Sequence, residues 1–163
     1  MKSTHRLLLI AALTLPFAVA CQKEEAAPAK AEAAPVAKPT GTDENAWNAY
    51  LTDVVKRNAD GSVSVYAYTL PAPDSEDFAG SYDRQLGEAQ TAMMRGGVEG
   101  TLLAFGSPDS AKSADLAVAA LAKAAPDSMK GVRVLFIGNT ADSARVEAAV
   151  KPTGATYKFV EAK

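Results

Sequence analysis

Two nearly continuous apolar runs constrain this chain most: TLLAFG at 101–106 and VRVLFIG at 132–138. Each is too short for a free-standing helix, and neither shows the period-two alternation of a strand with one wet face. A run of this kind needs apolar cover on both sides, which is the position of an interior strand in a parallel sheet. Each run ends in glycine and a polar turn and leads into a helical pattern. LLAFGSPDSA at 102–111 and VLFIGNTADSA at 134–144 therefore read as a weak internal echo. Two copies of about thirty residues do not make a solenoid, and the plainer explanation is two βα units that independently need the same turn chemistry.

The pattern on either side of these runs completes the fold. Trp47, Tyr50, Leu51, Val54 and Val55 recur at helical spacing, so a helix is expected over 45–58, closed by Asp60-Gly61. SVSVYAYTL at 62–70 is β-branched and aromatic and reads as a strand, which Pro71 and Pro73 end. Beyond the loop PAPDSEDFAGS, residues Tyr82, Leu86, Ala89 and Met93 predict a second helix stopped by Gly96-Gly97. Ala114, Ala117, Val118, Leu121, Ala122 and Ala125 form the stripe of a third, limited by Pro126. A fourth runs to Val150 and is ended by Pro152 and Gly154. The last strand, about 155–161, alternates Tyr157 and Phe159 with Lys158 and Glu161, as suits a sheet edge.

The resulting order αβαβαβαβ predicts an α/β domain over 43–163, a small three-layer αβα arrangement around a four-stranded, mainly parallel sheet. A thioredoxin-like or ferredoxin-like mixed sheet is the competing architecture. Strand order does not follow from the pattern.

The N-terminal third is different in kind. Lys2, His5 and Arg6 precede an apolar run from Leu7 to Val19, followed at once by small residues and then polar sequence. A positive start, a short apolar middle and a small-residue exit describe an export signal over 1–20. The stretch 22–42, rich in Ala, Pro, Lys and Glu, has too few large apolar side chains to offset the entropy of ordering. It is expected to act as a disordered tether, with a coil reach on the order of 25 Å. Domains are thus expected at 1–20 (signal), 21–42 (modified cysteine and tether) and 43–163.

Between signal and tether stands Cys21, the only cysteine of the chain. Phe17-Ala18-Val19-Ala20-Cys21 resembles the lipobox of bacterial lipoprotein precursors, departing from it at Ala18, where Leu is more usual. The resemblance covers the export segment alone. It implies that Cys21 is acylated, with palmitate-type chains, and becomes the new N-terminus. Gln22, rather than the aspartate associated with inner-membrane retention, then favours the outer membrane, with the domain facing the periplasm. Ala18-Val19-Ala20 also fits an ordinary cleavage site, which leaves a secreted protein with a free thiol as the other reading. An unpaired thiol is a liability in an oxidising compartment, whereas acylation removes it.

Cleavage at Cys21 would also remove His5, the sole histidine. The mature chain would then hold no imidazole and no free thiol, the commonest nucleophile–base pair and the usual soft metal ligands. Residues 43–163 carry 12 Lys and Arg against 16 Asp and Glu, which gives no electrostatic case for nucleic acid. No cofactor and no metal site is expected: the acidic cluster Asp74, Glu76, Asp77 and Asp83 lacks EF-hand spacing, and no dinucleotide or P-loop glycine motif occurs.

In open α/β sheets ligands gather beyond the carboxyl ends of the strands. The residues to watch are therefore Gly106, Ser107, Asp109 and Ser110 in one loop and Gly138, Asn139, Thr140, Asp142 and Ser143 in the other. The same residue types are what helix caps require, so a polar cleft and plain capping both fit. Tyr66 and Tyr68, on one side of the first strand, are core or a recognition patch.

The leading expectation for function is a non-enzymatic, outer-membrane-anchored lipoprotein whose domain binds another envelope protein, as an accessory subunit, inhibitor or immunity factor. The alternatives are a carboxylate-based envelope hydrolase using Asp109 and Asp142, and a small-molecule carrier.

Overall fold

The computed structural model describes residues 34–163. The signal expected at 1–20, Cys21 and the tether up to residue 33 lie outside the described residues. Helices α1 (Glu44–Arg57), α2 (Phe78–Arg95), α3 (Ser110–Leu121) and α4 (Thr140–Val150) alternate with strands β1 (Ser64–Thr69), β2 (Thr101–Gly106), β3 (Arg133–Gly138) and β4 (Thr156–Glu161). All four strands are parallel, in the order β1-β2-β3-β4. The domain is therefore α/β as expected. The mixed-sheet alternatives fail because none of the described strands runs antiparallel.

The order is monotonic, and this decides the layers. Right-handed crossovers that always step in the same direction put their helices on one face. α2, α3 and α4 accordingly share a face, packing Ala89, Met93, Ala117, Leu121, Val146 and Val150 onto Leu103, Phe105, Val134 and Phe136. α1, which precedes the first crossover, lies alone on the other face, where Trp47, Tyr50, Leu51, Val54 and Val55 cover Leu102, Ala104, Leu135 and Ile137. β2 and β3 are thus covered twice, and Leu102, Phe105, Val134, Leu135 and Phe136 are fully buried. β4 is an edge strand, as its alternation implies.

Two boundaries differ from expectation. α2 begins at Phe78, four residues before Tyr82. Asp77 occupies its N-cap position without bonding a backbone amide and pairs with Arg84 instead (3.0 Å), while the Phe78 and Tyr82 rings pack together in the first turn. The chain also meets the domain before Asp43. The Val36 amide donates to Asp53 Oδ2 (3.1 Å), the Lys38 amide to the Lys163 carbonyl (3.3 Å), Lys38 Nζ to the Ala162 carbonyl (3.2 Å), and Trp47 Nε1 to the Gly41 carbonyl (2.7 Å). The strap so formed runs along α1 to the end of β4, the sheet edge opposite β1.

Candidate functional site

The two βα loops singled out from the sequence do come together, and they bond to each other. Ser110 opens α3 and is nearly buried. Its hydroxyl donates to Asp142 Oδ2 (2.6 Å) and accepts from the Asn139 amide (2.7 Å), joining the start of α3 to the start of α4. Asp142 also receives the Arg145 guanidinium (3.0 and 3.2 Å), which reaches on to Asp115 (2.6 Å) and the Ala111 carbonyl (2.7 Å). Asp115 above all, and Asp142 beside it, hold Arg145 protonated beyond the ordinary guanidinium range.

The remaining loop residues have partners too. The Ser107 hydroxyl donates to the Asp109 carbonyl (2.6 Å), and Asp109 Oδ1 caps α3 at the Lys112 amide (3.1 Å). Thr140 Oγ1 donates to Glu161 Oε1 (3.0 Å). Lys163 first, and Thr140 with it, hold the Glu161 carboxyl below the usual range. Ser143 Oγ lies 3.0 Å from the Tyr157 hydroxyl, whose ionisation burial pushes up. Asn139 fills the N-cap position of α4, but no side-chain bond caps the helix.

The glycines serve close approach. A Cβ at Gly106 would meet Leu51 Cδ2 at 2.8 Å. One at Gly138 would meet Ser110 Oγ at 2.5 Å and Phe136 Cζ at 2.7 Å. The internal echo breaks down here: Asp109 caps its helix, whereas Asp142 is the third residue of its own.

A hollow of about 310 Å³ does exist beside the end of β1. It is lined by α1 (Trp47, Asn48, Leu51), the β1–α2 loop and the first turns of α2. Ser75 Oγ and Gln85 Oε1 belong to lining residues and lack hydrogen-bond partners. Pro108 is the sole contribution from the βα loops singled out above. Asp74, Glu76, Asp77 and Asp83 are exposed. Among the described residues no group of three or more His, Cys, Asp or Glu side chains is placed to hold a metal ion.

A larger concavity lies along the β1 edge. A groove of about 1080 Å³ runs between β1 and α2, walled by Ser64–Tyr68 on one side and Asp83, Gly87, Glu88, Thr91 and Arg95 on the other, with Leu103, Met129 and Val132 below. It is open because α2 packs on α3 more than on β1. The two tyrosines divide: Tyr68 is core, stacked on Phe105 (5.1 Å between centroids), and burial first, then Glu88, raises its hydroxyl pKa. Tyr66 is 55% exposed in the groove. On the opposite face α1 stops short of β1, so Val65 and Ala67 are exposed as well.

The backbone of β1 is also free on one side. The Ser64 amide donates to the Gly100 carbonyl (3.4 Å), so in a parallel ladder the even-numbered residues face β2. Val65, Ala67 and Thr69 therefore point their amides and carbonyls outward. Over 62–70 there is no charge and no proline before Pro71, whereas the other edge carries Lys158 and Glu161 and is flanked by Lys38 of the strap. Charged side chains and covering segments are the usual protection of an edge. Among the described residues β4 has both and β1 has neither.

No family model matches the chain, and neither a curated protein nor a solved structure matches it. Geometry and sequence chemistry are what bear on function.

Proposed function

We propose that this chain is a lipid-anchored protein of the bacterial outer membrane whose α/β domain binds an envelope protein and catalyses nothing. The single observation that carries the binding reading is the unprotected β1 edge: outward backbone groups at Val65, Ala67 and Thr69 beside exposed Val63, Val65, Tyr66 and Val98. Strand addition at such an edge supplies main-chain hydrogen bonds, and the adjoining groove supplies side-chain selection. The lipobox-like segment ending at Cys21 supports the anchor. The partner-bound sugar or peptide chemistry of a hydrolase finds less support, since Asp109 caps α3 and Asp142 is engaged by Ser110 and Arg145.

Two experiments test this reading. Labelled palmitate should enter the wild-type protein and leave it in the detergent phase of a phase partition, while Cys21→Ser should be unlabelled and aqueous. A photocrosslinking amino acid at Ala67 should capture a protein in intact cells, and one at Lys158 should not; equal capture at both edges, or at neither, refutes the β1 assignment.

A further inference from the structure

The partner that the β1 edge fits best is a second copy of this chain. We propose that two domains join β1 to β1 antiparallel about a two-fold axis, making one continuous eight-stranded sheet. This rests on the β1 edge being the binding face and names its occupant.

Charge complementarity argues for it first. The wall of the groove formed by α2 is acidic early (Asp83, Glu88) and basic at its end (Arg95), with Gly87 and Thr91 between. Arg84 is already paired with Asp77. A two-fold axis normal to the sheet keeps both α2 helices on the same face and sets them antiparallel, so that Asp83 of each faces Arg95 of the other. The small residues then fall at the crossing, where a Cβ on Gly87 would have open space within its own domain. A ligand strand from an unrelated protein has no reason to match that sequence of signs, whereas an isologous interface must be self-complementary.

Strands in a sheet are about 4.8 Å apart, so joining β1 to β1 brings the two grooves, and the α2 walls beyond them, to either side of one axis. An axis at Ala67 pairs Val65 with Thr69 of the other strand and Ala67 with itself, which uses every outward amide and carbonyl of β1. Tyr66 then lies opposite Tyr68 of the other copy, a cross-strand aromatic pair on the face that holds the groove. Anchoring both copies in one membrane raises their effective concentration for this encounter.

The test uses the full-length protein in its own membrane. Ala67→Cys should give a disulfide-linked dimer under mild oxidation, because hydrogen-bonded antiparallel partners sit about 5.5 Å apart at Cα, within disulfide reach. Lys158→Cys and the wild type should not. Asp83→Lys should lower the yield of the Ala67→Cys dimer about fivefold, and adding Arg95→Glu should restore it; a merely misfolded variant would not be rescued. Photocrosslinking at Ala67 separates the outcomes. An adduct of twice the chain's mass supports self-pairing. An adduct with a different protein overturns self-pairing while leaving the β1 edge as a binding face. An adduct with the chain's own residues 21–33 overturns self-pairing as well, and no adduct at all removes both.

Discussion

Replacing Ser110 with alanine distinguishes a braced loop pair from a ligand cleft. Ser110 is 7% exposed and its hydroxyl makes two bonds at once, 2.6 Å to Asp142 Oδ2 and 2.7 Å from the Asn139 amide. Alanine removes both. Asp142 keeps Arg145, so its carboxylate is not stranded, and the Asn139 amide, on an exposed residue, loses its acceptor but can turn to water. A lost bond costs about 1 kcal/mol net. The expected destabilisation for two bonds is about 1–2 kcal/mol. For a domain of this size that lowers the melting temperature by about 3–10 °C. Urea unfolding followed by the fluorescence of Trp47, the only tryptophan, measures it. Trp47 is buried under α1 on the far face of the sheet and therefore reports global unfolding rather than a local change. Ser143→Ala, whose partner is the half-buried Tyr157 hydroxyl, should cost less than about 1 kcal/mol. A Ser110→Ala protein within about 0.5 kcal/mol of wild type, with an unchanged denaturant slope, would refute the brace. Those hydroxyls and carboxylates would then have to be reconsidered as groups held for a ligand.

The two glycines Gly138 and Gly87 should respond to alanine with opposite signs. Gly138→Ala drives a methyl into Ser110 and Phe136 and should destabilise by about 1–3 kcal/mol, whereas Gly87→Ala, in an open helical position, should stabilise by about 0.5–1 kcal/mol. Thermal unfolding of the pair would contradict the packing if both moved the same way. The strap should be acid-sensitive. Arg57 foremost, and the Val36 amide next, hold the Asp53 carboxyl below the usual aspartate range. The stability it contributes is therefore present above the ordinary aspartate pKa and lost as pH falls through the lowered one. In an NMR titration the Val36 amide shift should turn at a pH below the ordinary aspartate value and become flat in Asp53→Asn; a midpoint at or above that value would show that the contact is not made.

What was legible in the sequence follows from which interactions are local. β2 and β3 could be read from 101–106 and 132–138 because double-sided burial leaves a continuous apolar run. The end of α4 could be read from Pro152 because proline acts on near neighbours. The start of α2 could not, since 74–77 has the composition of a loop and Asp77 spends its carboxylate on Arg84, seven residues on. The strap was illegible for a different reason: the Val36 and Lys38 amides and the Gly41 carbonyl are backbone groups, and nothing in the side chains of 34–42 announces them. The polar turns were found by position, but whether Ser110 faces a ligand or Asp142 depends on a pair 32 residues apart.

The property that matters most for function, strand order, lay beyond local pattern altogether. The rule that ligands sit beyond the strand ends draws its force from a reversal of strand order, which parts the helices to either face and opens a crevice. With the order β1-β2-β3-β4 there is no reversal, so α3 and α4 stay side by side and their first turns close on each other through Ser110, Asp142 and Arg145. The same order makes β1 a terminal strand. SVSVYAYTL would be an ordinary covered segment in the middle of a sheet; at its edge it is uncharged, partly exposed and uncovered by α2. Topology thus moves the functional question from the strand ends, where polar residues first attract attention, to a strand side where the decisive groups are backbone amides and carbonyls.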